Sequence, residues 1–176
     1  MNLGVDVWNE HVTPPGLRPR IGLRPGGGER ADIEALAPAL YAALFESIAA
    51  HSRQGLNVVA DLGLHDAYAE PKGVLSDAAR RLSGLPVLFV GVHCPLEVIM
   101  ERRNAGQDGR NYVSGPVHDP PPAVRLWSHA VHTPGVYDLE VDTGNLTPQA
   151  CALAIRQRLD AAETAPGVFQ QLATGR

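Results

Sequence analysis

Apolar positions along the chain follow two different periods. Three short apolar runs have the length and composition of β-strands, at residues 56–60 (LNVVA), 86–92 (PVLFVGV) and 136–141 (VYDLEV). The first two are nearly continuous, which is typical of strands covered on both faces in a parallel sheet. Between residues 32 and 52, large aliphatic residues recur every fourth position and predict an amphipathic helix: Leu36, Leu40, Leu44 and Ile48.

Shorter helical patterns cover residues 76–82, 96–103 and 147–161. Thr147 is a suitable N-cap for the last of these, because Pro148 follows at the first helical position. Strands that alternate with helices predict an α/β fold with a mostly parallel sheet flanked by helices. We expect one domain over residues 1–165 and a disordered tail over residues 166–176. Residues 1–5 are expected to form the end of a strand that leads into Asp6.

Two stretches interrupt this alternation. Residues 13–28 are rich in proline and glycine, and residues 104–122 are polar and rich in proline. Long irregular segments inside a compact domain are usually functional loops or lids. We therefore interpret residues 104–122 as a lid.

Charge and composition narrow the partners. The formal net charge is −4, which offers no general attraction to nucleic acid or to an anionic membrane. The first residues lack the pattern of a signal peptide, and no apolar run reaches the length of a membrane span. Cys94 and Cys151 lie far apart and are expected to be free thiols. These features predict a cytoplasmic protein without a nucleic-acid or membrane partner, and they leave homo-oligomer formation open.

Acidic residues follow the predicted strands, and ligands of open α/β sheets bind at the carboxyl ends of strands. Asp61 follows residues 56–60 and is placed to hold Mg²⁺ directly or through water. Asp6 follows residues 1–5, the expected strand end, and could accept a proton from a substrate hydroxyl. Asp142 follows the third run. Each of these residues could equally well cap the turn or helix that comes after it.

Three arginines surround a glycine-containing break at residues 104–109: Arg102, Arg103 and Arg110. Arginines on such a segment suit a lid that closes over phosphates. They would also suit the solvated C-terminal end of a helix. The seven histidines form no recognisable zinc pattern, and the sequence contains neither a GxSxG elbow nor a GxGxxG loop after a strand.

Several segments together resemble chloramphenicol phosphotransferase: 87–94 (VLFVGVHC), 130–132 (AVH), 137–143 (YDLEVDT) and the opening 3–6 (LGVD). The resemblance implies a P-loop kinase fold that uses ATP and Mg²⁺ to phosphorylate a small-molecule alcohol. Matched by position, Asp6 becomes the general base and Asp61 the acid on the Mg²⁺ side. Arg102 and Arg110, with Arg103 beside them, become nucleotide-binding residues of the lid.

Members of that family also carry a strand and a GxxxxGK[ST] loop ahead of the GVD motif, and the 176 residues contain no such loop. The only lysine, Lys72, lies in the turn 70–73 (EPKG). We therefore expect a sheet that lacks its first, central strand, weak or absent binding of ATP·Mg²⁺, and no phosphotransfer by this chain. Two alternatives stay open: a catalytically dead binding or regulatory remnant of the same fold, and a toxin-type kinase related to the zeta family.

Overall fold

A computed structural model describes residues 1–17, 31–106, 113–161 and 167–174 of the protein. Within these ranges the chain forms seven α-helices, two short 3₁₀ segments and two paired strands. It divides into two compact units, Met1–Val87 together with Phe169–Arg176, and Leu88–Val168. Because each unit is described by itself, the single domain expected over residues 1–165 stays a prediction.

The first unit is mainly helical. It contains α1 (Val5–His11), 3₁₀ segments at Pro15–Leu17 and Ala31–Leu36, α2 (Ala37–Arg53) and α3 (Val74–Arg81), and nearly all of α7 (Val168–Ala173). Helix α2 packs against α3. The core of the first unit is made of apolar side chains from α2, α3 and the segments beside them, including Ile33, Leu44, Phe45, Ile48, Leu64, Val74 and Leu82.

The buried face of α2 differs from the predicted stripe. Leu44 and Ile48 are buried as expected, but Leu36 is 38% exposed. Tyr41 and Phe45 are buried instead, together with the small residues Ala37 and Ala49. The contacting face is therefore turned by about one position, because alanine and the aromatic rings allow closer packing than a stripe of aliphatic residues alone.

The N-terminal residues pair with the segment that was predicted as the first strand. Asn2 and Val59 form a parallel bridge, but no ladder extends over residues 56–60. The strand predicted there is thus reduced to a single bridge. Helix α1 begins at Val5, so the stub that leads into Asp6 ends in a helix directly.

The second unit holds the sheet. Strands β1 (Val90–His93) and β2 (Leu139–Asp142) pair in parallel from Val90↔Leu139 to His93↔Asp142. Helices α4 (Leu96–Asn104), α5 (Pro122–Ala130) and α6 (Pro148–Asp160) accompany them. Both strands are shorter than predicted from residues 86–92 and 136–141. The Thr147 cap is confirmed, since its hydroxyl accepts a hydrogen bond from Ala150 N at 3.2 Å. A parallel sheet with flanking helices confirms the α/β class.

The disordered tail expected over residues 166–176 needs correction. Residues 167–174 are not an unstructured tail, because α7 is helical and Phe169 within it is 5% exposed.

The expectation that no segment is long and apolar enough for a membrane span also needs correction. Among the described residues, one helical stretch, Asp32–Arg53, has the length and mean hydropathy (1.4) of a membrane span. Because 44% of its most apolar window is buried inside the protein, it also fits the description of a core helix.

Candidate functional site

Asp6 and Asp61 come together through backbone pairing in the first unit. Val59 N donates to Met1 O at 2.8 Å, Leu3 N donates to Val59 O at 3.0 Å, and Val5 N donates to Asp61 O at 2.8 Å. These bonds run the two segments in parallel, so that both acids stand where the pairing ends. Both side chains are exposed, and Asp6 lies in the first turn of α1.

Gly4 allows this close approach. A Cβ atom at position 4 would lie 3.0 Å from Asp61 Cβ and 3.1 Å from Asp61 O. Gly4 is also the N-cap residue of α1, and its N–H donates to Asn2 Oδ1 at 3.1 Å. The backbone at residue 4 therefore fixes both the start of the helix that carries Asp6 and the position of Asp61.

Arg102 is engaged in a structural contact in the second unit. Its guanidinium donates to Thr143 O at 2.6 Å, to Thr143 Oγ1 at 3.2 Å and to Cys94 Sγ at 3.5 Å. Thr143 in turn donates to His93 O from its N–H and its hydroxyl, at 2.8 and 3.0 Å. Arg102 thus fastens α4 to the end of the β1–β2 sheet. These contacts, the Arg102 clasp, occupy part of the guanidinium, and the role of Arg102 in nucleotide binding stays a prediction.

The predicted lid begins at a clamp. Asn104 Nδ2 donates to Gly115 O at 2.9 Å, and Gly115 N donates to Asn104 Oδ1 at 3.1 Å. This pair of bonds holds the two ends of residues 105–114 together. Arg103, half-buried in the last turn of α4, lies at the base of that segment. Arg110 lies outside the described residues, so its assignment to the lid stays a prediction.

Asp142 has a capping role. Its carboxylate accepts hydrogen bonds from Gly144 N at 2.8 Å and from Asn145 Nδ2 at 2.7 Å. Of the readings open for Asp142 in the sequence, the structure supports the cap of the turn after β2.

A cluster of aromatic and titratable side chains in the second unit was missed by the sequence analysis, which found no metal pattern among the histidines. His93 and His132 stack with ring centroids 4.2 Å apart. His132 Nδ1 lies 2.7 Å from the Tyr137 hydroxyl, and His93 Nε2 lies 2.8 Å from Glu140 Oε2. The available signals were the segments 130–132 (AVH) and 137–143 (YDLEVDT), which contain three of the cluster's four residues.

The electrostatics of this cluster favour a neutral His132. Burial, reinforced by the adjacent His93, lowers the pKa of His132 below its ordinary value, and Glu140 partly opposes the effect. Burial and the charge of Glu140 raise the pKa of Tyr137. A Cβ atom at Gly91 would lie 2.6 Å from the Tyr137 ring, so the glycine on β1 provides the space in which that ring lies.

A dedicated metal centre does not fit the described residues. Within them no group of three or more His, Cys, Asp or Glu side chains is arranged to hold a metal ion. Mg²⁺ is commonly bound by one or two carboxylates plus substrate phosphates, and Asp61 could supply one such ligand. The donor set thus suits an ion that arrives with a nucleotide rather than a resident ion.

A small parallel sheet flanked by helices is consistent with an α/β protein of the kinase-like type. A comparison with protein families matches residues 1–160 to the family described as chloramphenicol phosphotransferase-like protein. The chain belongs to this family. A search of curated proteins found no significant match. Membership implies a kinase-like phosphotransferase that uses a nucleotide.

Proposed function

We propose that the chain carries the acceptor-activating part of an ATP-dependent phosphotransferase whose substrate is a hydroxyl of a small molecule such as chloramphenicol. Asp6 acts as the general base and Asp61 as the acid on the Mg²⁺ side. The observation that carries this proposal is the parallel pairing of residues 1–5 with residues 59–61, which brings the two acids to one place.

These residues would act on the acceptor hydroxyl and on the metal ion. The Asp6 carboxylate takes the proton of the acceptor hydroxyl while the hydroxyl oxygen attacks the γ-phosphorus. The bond between the γ-phosphorus and the β-phosphate oxygen breaks, and ADP leaves. When bound, Mg²⁺ neutralises the charge on the phosphates. Asp61 orients that ion, and Arg103 and Arg110 bring positive charge to the transferring group.

The 176 residues contain no GxxxxGK[ST] loop, and their only lysine lies in the turn 70–73 (EPKG). Lys72 lies just before α3, where its N–H donates to Asp66 Oδ1 at 2.6 Å. Most of the affinity of a P-loop kinase for ATP comes from backbone N–H groups and one lysine around the phosphates. We therefore propose that this chain by itself binds ATP·Mg²⁺ weakly and transfers no phosphate.

The proposed role of Asp6 is tested in a chimera in which a strand and GxxxxGK[ST] loop from a chloramphenicol phosphotransferase precede this chain. Asp6→Asn should lower kcat for phosphorylation of a small alcohol by at least ~10²-fold, the usual contribution of a general base. Glu10→Gln, on the same helix, is the control and should leave kcat within about twofold. An active chimera that is insensitive to Asp6→Asn would assign Asp6 to helix capping.

A second function is favoured by the clasp of Arg102. An arginine that is held by Thr143 has fewer N–H groups left for a phosphate, which suits a binding or regulatory protein that keeps the substrate pocket and has lost catalysis. Equilibrium dialysis with chloramphenicol separates the two functions. Alcohol binding by a chimera that binds ATP but shows no turnover would favour the binding protein.

A further inference from the structure

A pocket of about 190 Å³ lies between α2 and α3 in the first unit. Its walls come from α2, from α3 and from the turn before α3: Pro38, Tyr41, Lys72, Val74, Asp77 and Arg81. Pro38 and Val74 provide apolar contact surface. The polar groups of the wall decide what the pocket can bind.

Two of the three charged groups are already neutralised. Arg81 Nε donates to Asp77 Oδ2 at 2.6 Å, and Arg81 NH1 donates to Glu46 Oε1 at 2.8 Å. Arg80 binds the second oxygen of Asp77. The pair of Arg81 with Glu46 joins α3 to α2, the other two lie within α3, and together they pair the charges of Asp77 and Arg81.

Lys72 is different. Its side chain is half-buried, and within the described part of the chain its ammonium group has neither an ion pair nor a hydrogen bond. Asp66 accepts hydrogen bonds from the backbone N–H groups of Lys72 and Gly73 at 2.6 and 2.9 Å, and the carboxylate of Glu70, two residues before Lys72, is exposed. The ammonium group is therefore the positive charge of the pocket that still lacks an acceptor.

A tyrosine hydroxyl also belongs to the pocket wall. Burial raises the pKa of Tyr41, an effect that a hydrogen bond with Tyr68 partly opposes, so the Tyr41 phenol stays protonated. A protonated phenol can donate a hydrogen bond to an anion.

We propose that this pocket is a binding site for a small organic carboxylate with a flat or apolar body. The ammonium group of Lys72 and the phenol of Tyr41 bind the carboxylate, and Pro38 and Val74 contact the body. Since Asp77 and Arg81 are already paired, Lys72 supplies a single unpaired positive charge, which matches a monoanion better than a phosphate dianion. The site does not depend on phosphotransfer, so it can stand even if the proposed kinase function fails.

The test uses ¹⁵N-labelled 176-residue protein titrated with benzoate, with benzamide as the neutral analogue. Benzoate should shift the amide signals of Gly73, Val74 and Asp77 saturably, with Kd on the order of 1 mM because the pocket is small and open. Benzamide should bind at least about tenfold more weakly. Inorganic phosphate is titrated in parallel to separate a carboxylate site from a general anion site.

Substitutions test whether benzoate binds in this pocket. Lys72→Gln should weaken benzoate binding at least about tenfold, Tyr41→Phe by a smaller factor, and Lys72→Arg should keep most of it. The control is Arg53→Gln, which removes one exposed positive charge from the same unit outside the pocket. Equal binding of benzamide, stronger binding of phosphate, or equal weakening by Arg53→Gln would each overturn the proposal, and so would shifts that never saturate.

Discussion

Position 4 has no side chain, and this lets the N-terminal segment lie against Asp61. The distances of 3.0 and 3.1 Å that a Cβ atom would make there are shorter than ordinary contacts, and one of them is to a backbone oxygen that cannot move without breaking the bond to Val5 N. The chemistry of the candidate site therefore depends on a residue that takes no part in it.

Gly4→Ala should destabilise the first unit by about 1–3 kcal/mol, the usual range for overpacking. Urea unfolding followed by the fluorescence of Trp8, with Trp127 replaced by phenylalanine in every version, measures the change. Gly16→Ala is the matched control, because a Cβ atom at position 16 meets nothing within 4 Å. Equal unfolding free energies for the two variants would mean that the pairing of residues 3–5 with 59–61 tolerates a side chain.

The stacked pair His93 and His132 makes stability depend on pH. Because the folded pKa of His132 lies below its unfolded value near 6.5, the folded state binds fewer protons than the unfolded state. The stabilisation from neutral His132 is thus complete above that value and is lost as the pH falls below about 6.5.

His132→Gln should make the free energy of unfolding fall less steeply between pH 7 and pH 5 than it does in the wild type. Urea unfolding at several pH values, followed through Trp127, measures the slope rather than the stability at one pH. His129→Gln, an exposed histidine at the end of α5, should keep the wild-type slope. A steeper fall in His132→Gln would show that His132 is protonated more readily in the folded protein.

At the scale of elements, helices with local signals could be predicted. Thr147 and Pro148 mark the start of α6 by capping chemistry alone, and the stretch before the predicted lid gave α4 to within one residue. Helix α1 was missed because its first residues follow an apolar stub that resembles a strand end. Helix α5 was missed because the prolines before it, which suit a helix start, were interpreted as part of an irregular segment.

Strands were predicted less well because a β-strand forms only when its backbone pairs with a second strand. The run 56–60 has the composition of a buried strand, but in the described residues it pairs only through the bridge of Val59 with Asn2. Val59 is 71% exposed and Val92, on β1, is 54% exposed. Composition reports what a residue prefers, while the ladder depends on partners far away in sequence.

The clamp between Asn104 and Gly115 belongs to the same scale, since it sets the ends of the segment 105–114. Asn104→Ala should speed limited proteolysis within that segment by about three- to tenfold, because two hydrogen bonds that hold its ends are lost. Asn104→Asp should act in the same direction, since a carboxylate cannot donate to Gly115 O. The cleavage rate is followed by mass spectrometry at low protease concentration.

Asn145→Ala is the comparison, because it removes a side-chain hydrogen bond in the same unit, to Asp142, outside the segment. Its cleavage rate within residues 105–114 should stay at the wild-type value. If both asparagine variants are cut at the same rate, the clamp does not control the segment.

At the scale of the whole molecule, the residues assigned to a kinase site belong to two units. Asp6 and Asp61 lie in the first, and Arg102 and Arg103 lie in the second. The sequence identified the pair of acids because each follows a strand-like run. It could not foresee that Arg102 would bind Thr143, because a hydrogen bond between residues 41 positions apart leaves no local pattern.

The family match and the missing GxxxxGK[ST] motif together make nucleotide binding the central question for this chain. Without the backbone N–H groups of a GxxxxGK[ST] loop, the arginines of the predicted lid would have to become ordered around a mobile anion, which carries an entropic cost. The affinities for ATP·Mg²⁺ expected with and without such a loop differ widely, so a measurement of this affinity distinguishes the two cases.

Calorimetric titration of the 176-residue protein with ATP·Mg²⁺, beside the chimera that carries a GxxxxGK[ST] loop, tests this account most directly. The account predicts Kd no tighter than roughly 1 mM for the chain, about −4 kcal/mol, no phosphotransfer, and clearly tighter binding by the chimera. Micromolar binding by the chain itself would contradict the account. Lys72→Gln would then be the first variant to titrate, since it removes the only lysine.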